Sequence, residues 1–181
     1  MGAGGDGVSH HAKRGFLVSL SGLPGVGKSS IARLLAAEIG AIWLRIDSIE
    51  SALRSSGVVD GDMKDASYRA AYAVAADNLA LGHRVIADCV NPWMLTRDAW
   101  RDVALTADAE LLELEVICTD RDAHRHRVEA RIIEADGGRG PGWQEVVARD
   151  YRPWTRPVLV VETAGRRVCD CAADIRHILA L

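Results

Sequence analysis

The chain of 181 residues lacks an apolar run long enough to cross a bilayer, and its first residues lack the hydrophobic stretch of a signal peptide. An excess of positive charge is also missing, since 22 lysines and arginines stand against 25 aspartates and glutamates, a formal net charge of −3. Surfaces that bind nucleic acid carry clustered basic residues, so this balance argues against a nucleic-acid partner. We expect a cytoplasmic monomer or homodimer that contacts no membrane.

Cysteines are few, and their spacing is not that of a metal site. The four, at positions 89, 118, 169 and 171, form no C-x-x-C pair and have no histidines at zinc-binding spacing. Cys169-Asp170-Cys171 is the one close pair, and it has no further ligands near it in the sequence. We therefore predict free thiols rather than disulfides or a zinc centre.

The chain alternates between short apolar runs and segments with apolar residues at helical spacing. Since 49% of the residues are hydrophobic, residues 16–181 suit one domain with a sizeable core, and we set the Gly-rich residues 1–15 aside as a disordered leader. Strands alternating with helices predict an α/β fold of three layers, a parallel sheet with helices on both faces. The predicted strands are 16–20, 41–46, 84–89, 111–118 and 157–163, and the predicted helices after the first are 48–55, 68–81, 94–106, 120–136, 143–151 and 172–181.

A phosphate-binding motif stands between the first strand and the first helix. Its sequence, G-x-x-x-x-G-K-S, reads Gly22-Leu23-Pro24-Gly25-Val26-Gly27-Lys28-Ser29 and is followed by Ser30. Glycines let the backbone curl around a polyphosphate, and the helix N-terminus beneath it favours negative charge. Lys28 adds a cation, and the Ser29 hydroxyl is a ligand for Mg²⁺. The alternative is a glycine-rich turn with a chance lysine. We call residues 22–29 the phosphate loop.

Two aspartates follow predicted strands. Asp47 comes after the second strand, where an acid can accept the proton of an attacking hydroxyl; its alternative role is that of a helix N-cap. Asp88 ends the third strand, where it can support Mg²⁺ through water; its alternative is again a cap or loop residue. Ligands bind at the carboxyl ends of strands in open α/β sheets, so both acids are candidates for the site.

An arginine-rich helix is predicted between Asp120 and Asp136. Guanidinium groups stabilise the charge of a phosphoryl group in transfer. The alternative is that these arginines only form the solvent-exposed face of the helix, which is the usual role of a run of charged residues. The Gly-rich stretch after it favours a mobile lid, about 120–142. We interpret His124 and His126 as solvated helix positions. The arginines are Arg121, Arg125, Arg127 and Arg131, of which the pairs 121/125 and 127/131 lie on two separate faces.

Together these motifs resemble the small P-loop kinases of the zeta-toxin, polynucleotide-kinase, chloramphenicol-phosphotransferase and gluconate-kinase type, which include many bacterial proteins labelled AAA-family ATPases. The resemblance extends from Phe16 to the last helix, and the phosphate loop is its specific part. It implies the P-loop NTPase fold, with a five-stranded sheet of order 2-3-1-4-5, and ATP with Mg²⁺. The matching segments are the phosphate loop, Arg45–Ile49, Val85–Asp88 with Asn91, and Arg125–Arg131.

Two departures from that family pattern bear on the substrate. Relatives often carry an arginine three residues after the strand-2 aspartate, where this chain has Glu50, and this argues against a phosphate-bearing acceptor. The lid is also glycine-rich after Asp136, which leaves open which arginine is catalytic. Mechanical AAA ATPases are larger and need a helical lid domain and an arginine from a second subunit, so the label would mislead if it were taken to mean a mechanical ATPase.

From these residues we predict an ATP-dependent phosphotransferase that moves the γ-phosphate to a hydroxyl of a small molecule. An alternative is a nucleotide or nucleic-acid 5′-hydroxyl kinase, and one of another class is an ATP-binding regulatory or toxin-like module acting on a protein. The predicted roles are nucleotide binding by residues 22–30 and Arg125, metal binding by Ser29 and Asp88, catalysis by Lys28, Asp47, Arg127 and Arg131, and acceptor binding by Asp47, Arg54 and Asn91.

Overall fold

The computed structural model describes residues 14–57, 65–134 and 140–180. Its strands are β1 (Phe16–Ser21), β2 (Ile42–Arg45), β3 (Arg84–Asp88), β4 (Glu110–Ile117) and β5 (Leu159–Glu162). The helices are α1 (Lys28–Ile39), α2 (Ile46–Ser55), α3 (Ala66–Ala80), α4 (Met94–Thr106), α5 (Arg121–Glu134), α6 (Trp143–Val147) and α7 (Val168–Ile178). The strands form one parallel sheet of order β2-β3-β1-β4-β5, which confirms the predicted order.

Successive residues of β1 face opposite sides of the sheet, and each side has its own core. Val18 and Leu20 pack with buried residues of α1 and α7, whereas Leu17 packs with buried residues of α3 and α4. Both faces are thus covered by helices, as the alternating pattern predicts. None of the helices in the described part of the chain is long and apolar enough to cross a membrane.

The register of the sheet brings the ends of three strands together. Asp88, the last residue of β3, lies opposite Leu20 of β1 on one side and Arg45 of β2 on the other. The phosphate loop follows β1 directly, so it shares this edge with both residues. The edge is where open α/β sheets bind ligands.

Several predicted boundaries are wrong. The helix α2 begins at Ile46, so Asp47 lies in its first turn rather than ahead of it, and α7 begins at Val168 rather than at Ala172. The end of the predicted leader belongs to the fold, because Arg14 forms an ion pair with Asp108 and Gly15 accepts a hydrogen bond from the N–H of Glu110. Most of the connection between α2 and α3 and of the glycine-rich end of the predicted lid after α5 lies outside the described residues.

A buried arginine ties two connections together beside the sheet. Arg97 of α4 is 0% exposed and donates to the carbonyl oxygens of Asn91, Arg152 and Pro153 at 2.8–3.3 Å. Its guanidinium carbon lies 5.0 Å from the ring centre of Tyr151 and 4.3 Å from that of Trp154. The connection after β3 and the one before β5 are therefore held by one side chain.

We predict that Arg97→Met lowers the free energy of unfolding by about 3 kcal/mol or more, because three carbonyls lose a charged donor inside the protein. Urea denaturation measures the loss. Arg101→Met, one turn along the same helix, removes only a half-exposed arginine from Glu113, which keeps its pair with Arg156, and should cost under about 1 kcal/mol. Equal losses in the two variants would contradict this role of Arg97.

Candidate functional site

The phosphate loop has the backbone that an anion site requires. Gly25 and Gly27 have φ angles of 85° and 105°, in the left-handed region that glycine adopts without strain. A Cβ at Gly25 would also lie 2.5 Å from Val128 Cγ2, so only glycine fits there. No side chain caps the N-terminus of α1, which leaves its first N–H groups available to a phosphate.

Lys28 lies beneath the loop and is buried. Its Nζ donates to the carbonyl oxygen of Leu23 at 2.9 Å. Burial lowers the pKa of Lys28 from 10.5 to about 8, and the nearby carboxylates of Asp88 and Asp47 oppose that shift. The ammonium is therefore the main form at pH 7 and becomes the minor form above about pH 8 unless a further anion stabilises it.

A cavity of about 310 Å³ opens above the loop. It lies between the start of α1, the end of β2 and one face of α5, and its cations outnumber its acids. The residues lining it are Gly25, Gly27, Lys28, Ser29, Ser30, Arg45, His126, Arg127, Ala130 and Arg131. This composition suits a polyphosphate.

Both predicted acids contact arginines at this cavity. Asp47 Oδ2 lies 3.2 Å from a terminal nitrogen of Arg45 and 3.8 Å from one of Arg131. Asp88 is buried, its Oδ2 accepts from Trp43 Nε1 at 3.3 Å, and Arg45 Nε lies 3.9 Å away. The sheet edge and α5 thus bring the two carboxylates and two arginines into one ion-pair network beside Lys28.

A second cavity, of about 160 Å³, adjoins the first and shares Gly27, Ser30 and Arg127 with it. Arg127 donates to the hydroxyl and the carbonyl of Thr163 at 2.9 and 3.0 Å, which fixes its guanidinium between the two spaces. The other residues that line this second cavity are Ile31, Thr163, Arg166, Val168 and Cys171. The part of the cavity formed by residues after β5 was not predicted, because that segment of the sequence carries no motif.

Several other predicted site residues lie elsewhere. Arg125 is exposed and pairs with Glu129 at 2.8 Å, and Arg54 is exposed near the end of α2. Neither lines a described cavity. Asn91 is buried, and its amide donates to Ser19 and Leu20 of β1, so it braces the strand end rather than facing an acceptor.

Of the two histidines of α5 that we interpret as solvated, one is wrong. His124 is buried against the phosphate loop, whereas His126 is exposed, as predicted, at the rim of the larger cavity. The helical spacing of His124 and Val128 was the available signal, since residues four apart share a face.

Residues 17–138 match the family model of the AAA domain. The chain belongs to the AAA domain family. The match covers the phosphate loop, both acids and α5, and it ends before α6. No curated protein matches the chain.

Solved structures with the same fold include several kinases. The Mycobacterium tuberculosis APS kinase CysC, in complex with AMPPNP and APS, aligns with a TM-score of 0.73 and 22% identity, over 93% of this chain and 99% of the other. A gluconokinase from Sinorhizobium meliloti aligns at 0.56 and 16%, over 93% and 97%. Chaetomium thermophilum Kti12, in complex with ADP-AlF3, aligns at 0.63 and 19%, over 89% and 97%. The chain thus has the fold of the small P-loop kinases, as predicted.

We predict that MgATP binding takes up protons at alkaline pH. Bound phosphates favour the charged form of Lys28 and raise its pKa above about 8, so binding near pH 9 should take up about one proton, and affinity should fall as pH rises from 8 to 10. Calorimetry in buffers of different ionisation enthalpy measures the uptake. At pH 7 the lysine is already charged and uptake should be small, so equal uptake at pH 7 and 9 would exclude Lys28 as its source.

Proposed function

We propose that this protein transfers the γ-phosphate of ATP to a hydroxyl group of a small-molecule acceptor. The observation that carries the proposal is the position of Asp47. Its carboxylate contacts two arginines, Arg45 and Arg131, that line the phosphate cavity, and it is exposed to an incoming acceptor. A phosphate site with an accessible carboxylate at its rim suits transfer to an alcohol.

The donor nucleotide occupies the two adjoining cavities in this proposal. Its phosphates bind to the phosphate loop and Lys28, in the larger cavity. The base enters the smaller one, beyond Arg127, where Val168 offers apolar surface. The smaller cavity shares Gly27, Ser30 and Arg127 with the phosphate cavity, and this continuity supports one ligand spanning both.

Ser29 and Asp88 fit a magnesium site. A hydroxyl beside the phosphates and a buried carboxylate at the end of β3 are oxygen donors of the kind that Mg²⁺ prefers. The described residues contain no group of three or more His, Cys, Asp or Glu side chains suited to a metal, so phosphate oxygens and water would complete the coordination. Bound Mg²⁺ would neutralise phosphate charge.

In the transfer step, Asp47 accepts the proton of the acceptor hydroxyl as its oxygen bonds to the γ-phosphorus. The bond from that phosphorus to the bridging β–γ oxygen breaks, and ADP leaves with the electron pair. Arg131 and Arg127 face the cavity where charge builds on the transferring group, and Lys28 lies beneath it. Fixed cations at that place lower the barrier.

A small-molecule acceptor is compatible with the kinases that share this fold. The neighbours with this fold include an APS kinase, a gluconokinase and a sugar kinase, although the identities of 16–22% carry the fold rather than the substrate. The chain's net negative charge gives no support to a nucleic-acid acceptor.

We predict that Asp47→Asn keeps ATP affinity within about threefold and lowers phosphoryl transfer by about 10²- to 10⁴-fold, because the amide cannot accept the proton. Transfer of labelled phosphate from ATP is measured over a panel of sugars, hydroxylated antibiotics and 5′-hydroxyl oligonucleotides. Asp102→Asn, on an exposed position of α4, serves as the control and should leave transfer unchanged.

Three outcomes would overturn parts of this proposal. Unchanged turnover in Asp47→Asn would remove Asp47 from the step. Transfer to oligonucleotides alone would make the protein a nucleic-acid end kinase. Tight ATP binding without transfer to any acceptor, together with a stable protein complex, would indicate a regulatory module instead.

A further inference from the structure

The phosphate loop is held from outside by a side chain of α5. His124 is 6% exposed, and its Nε2 lies 2.8 Å from the carbonyl oxygen of Pro24 in the loop. A carbonyl can only accept, so this ring nitrogen carries a proton and donates. Among the described residues no other donor reaches this carbonyl. The bond persists whether the ring is neutral or charged.

Two further contacts hold His124 in place. Its ring meets the edge of Trp143 of α6, with centres 5.1 Å apart and planes at 87°. Val128, one turn along α5, packs beside Gly25. The helix therefore contacts two consecutive residues of the loop, Pro24 and Gly25. This face of α5 is therefore fitted to the backbone of the loop rather than to solvent.

The loop needs such donors because of the way it binds anions. A backbone that turns successive N–H groups inward to a phosphate turns carbonyl groups outward, and a buried carbonyl without a donor is costly. Lys28 donates to Leu23, His124 to Pro24, and the Thr163 hydroxyl lies 2.9 Å from the Val26 oxygen. Three of the loop's carbonyls are thus contacted by side chains from α1, α5 and the connection after β5.

We propose that His124 is a positioning residue that holds the phosphate loop in its anion-binding shape. Its bond to Pro24 keeps the loop's N–H groups directed at the phosphates before any ligand arrives, which reduces the ordering cost of binding. It also fixes the loop against α5, the helix that carries Arg127 and Arg131. The inference rests on the proposed function, since it assigns His124 a role in the same site.

Affinity for inorganic tripolyphosphate with Mg²⁺ tests this role, because that ligand has neither base nor acceptor. His124→Leu, similar in size and without a donor, should weaken binding about 10-fold, and MgATP by the same factor. A glutamine amide nitrogen lies near the place of histidine Nε2, and an asparagine amide near Nδ1. His124→Gln should therefore bind within about threefold of wild type, whereas His124→Asn should be as weak as the leucine variant.

His177→Leu, at an exposed position of α7, is the control and should bind as wild type does. If His124 had only a structural role, the variants would lower the melting temperature, but their tripolyphosphate affinities would not rank Gln above Asn and Leu. Wild-type affinity in the Leu and Asn variants, or a Gln variant as weak as Asn, would overturn the inference and leave the proposed function intact. If wild type itself binds neither tripolyphosphate nor ATP, the proposed function fails as well.

Discussion

The burial of Lys28 is the constraint on which the rest of the site depends. An ammonium taken out of water is costly unless charge of the opposite sign lies near, and here that charge comes from Asp88 and Asp47. The parallel register of the sheet places Asp88 at this edge, and Asp47 follows β2 at the same edge. Arginines from β2 and α5 then pair with those acids, so the surrounding network follows from one buried cation.

The sequence predicts the part of the site that backbone rules govern. The phosphate loop must lie between β1 and α1, and acids at strand ends must meet at one sheet edge, so these features follow from spacing alone. Asp47 lies beside the phosphate cavity although the predicted start of its helix was wrong, because a helix that starts directly after β2 leaves it at the same edge. The strand order came from the family resemblance, since the alternation alone does not determine it.

What the sequence did not predict depends on contacts between distant residues. Arg97 looks like any surface arginine of an amphipathic helix, and only the fold surrounds it with carbonyls and rings. His124 meets the loop 100 residues earlier in the chain. Arg125 and Arg127 are two positions apart and differ completely in role, since the helix turns one to Glu129 at the surface and the other to Thr163. Composition cannot distinguish them.

The site divides into a fixed half and an adjustable half on energetic grounds. The contacts around the loop are buried, and losing a partner there leaves a polar group unsatisfied, at about 1–3 kcal/mol each. The pairs from Asp47 to Arg45 and Arg131 are partly exposed and separate at a cost of about 1 kcal/mol or less. In the proposed transfer step, Asp47 exchanges partners when an acceptor enters, which such weak pairs allow, whereas the donor phosphates need a binding loop that does not move. The distribution of burial therefore suits the proposed transfer step, in which the donor nucleotide is held by fixed contacts and the carboxylate of Asp47 can leave its arginine partners.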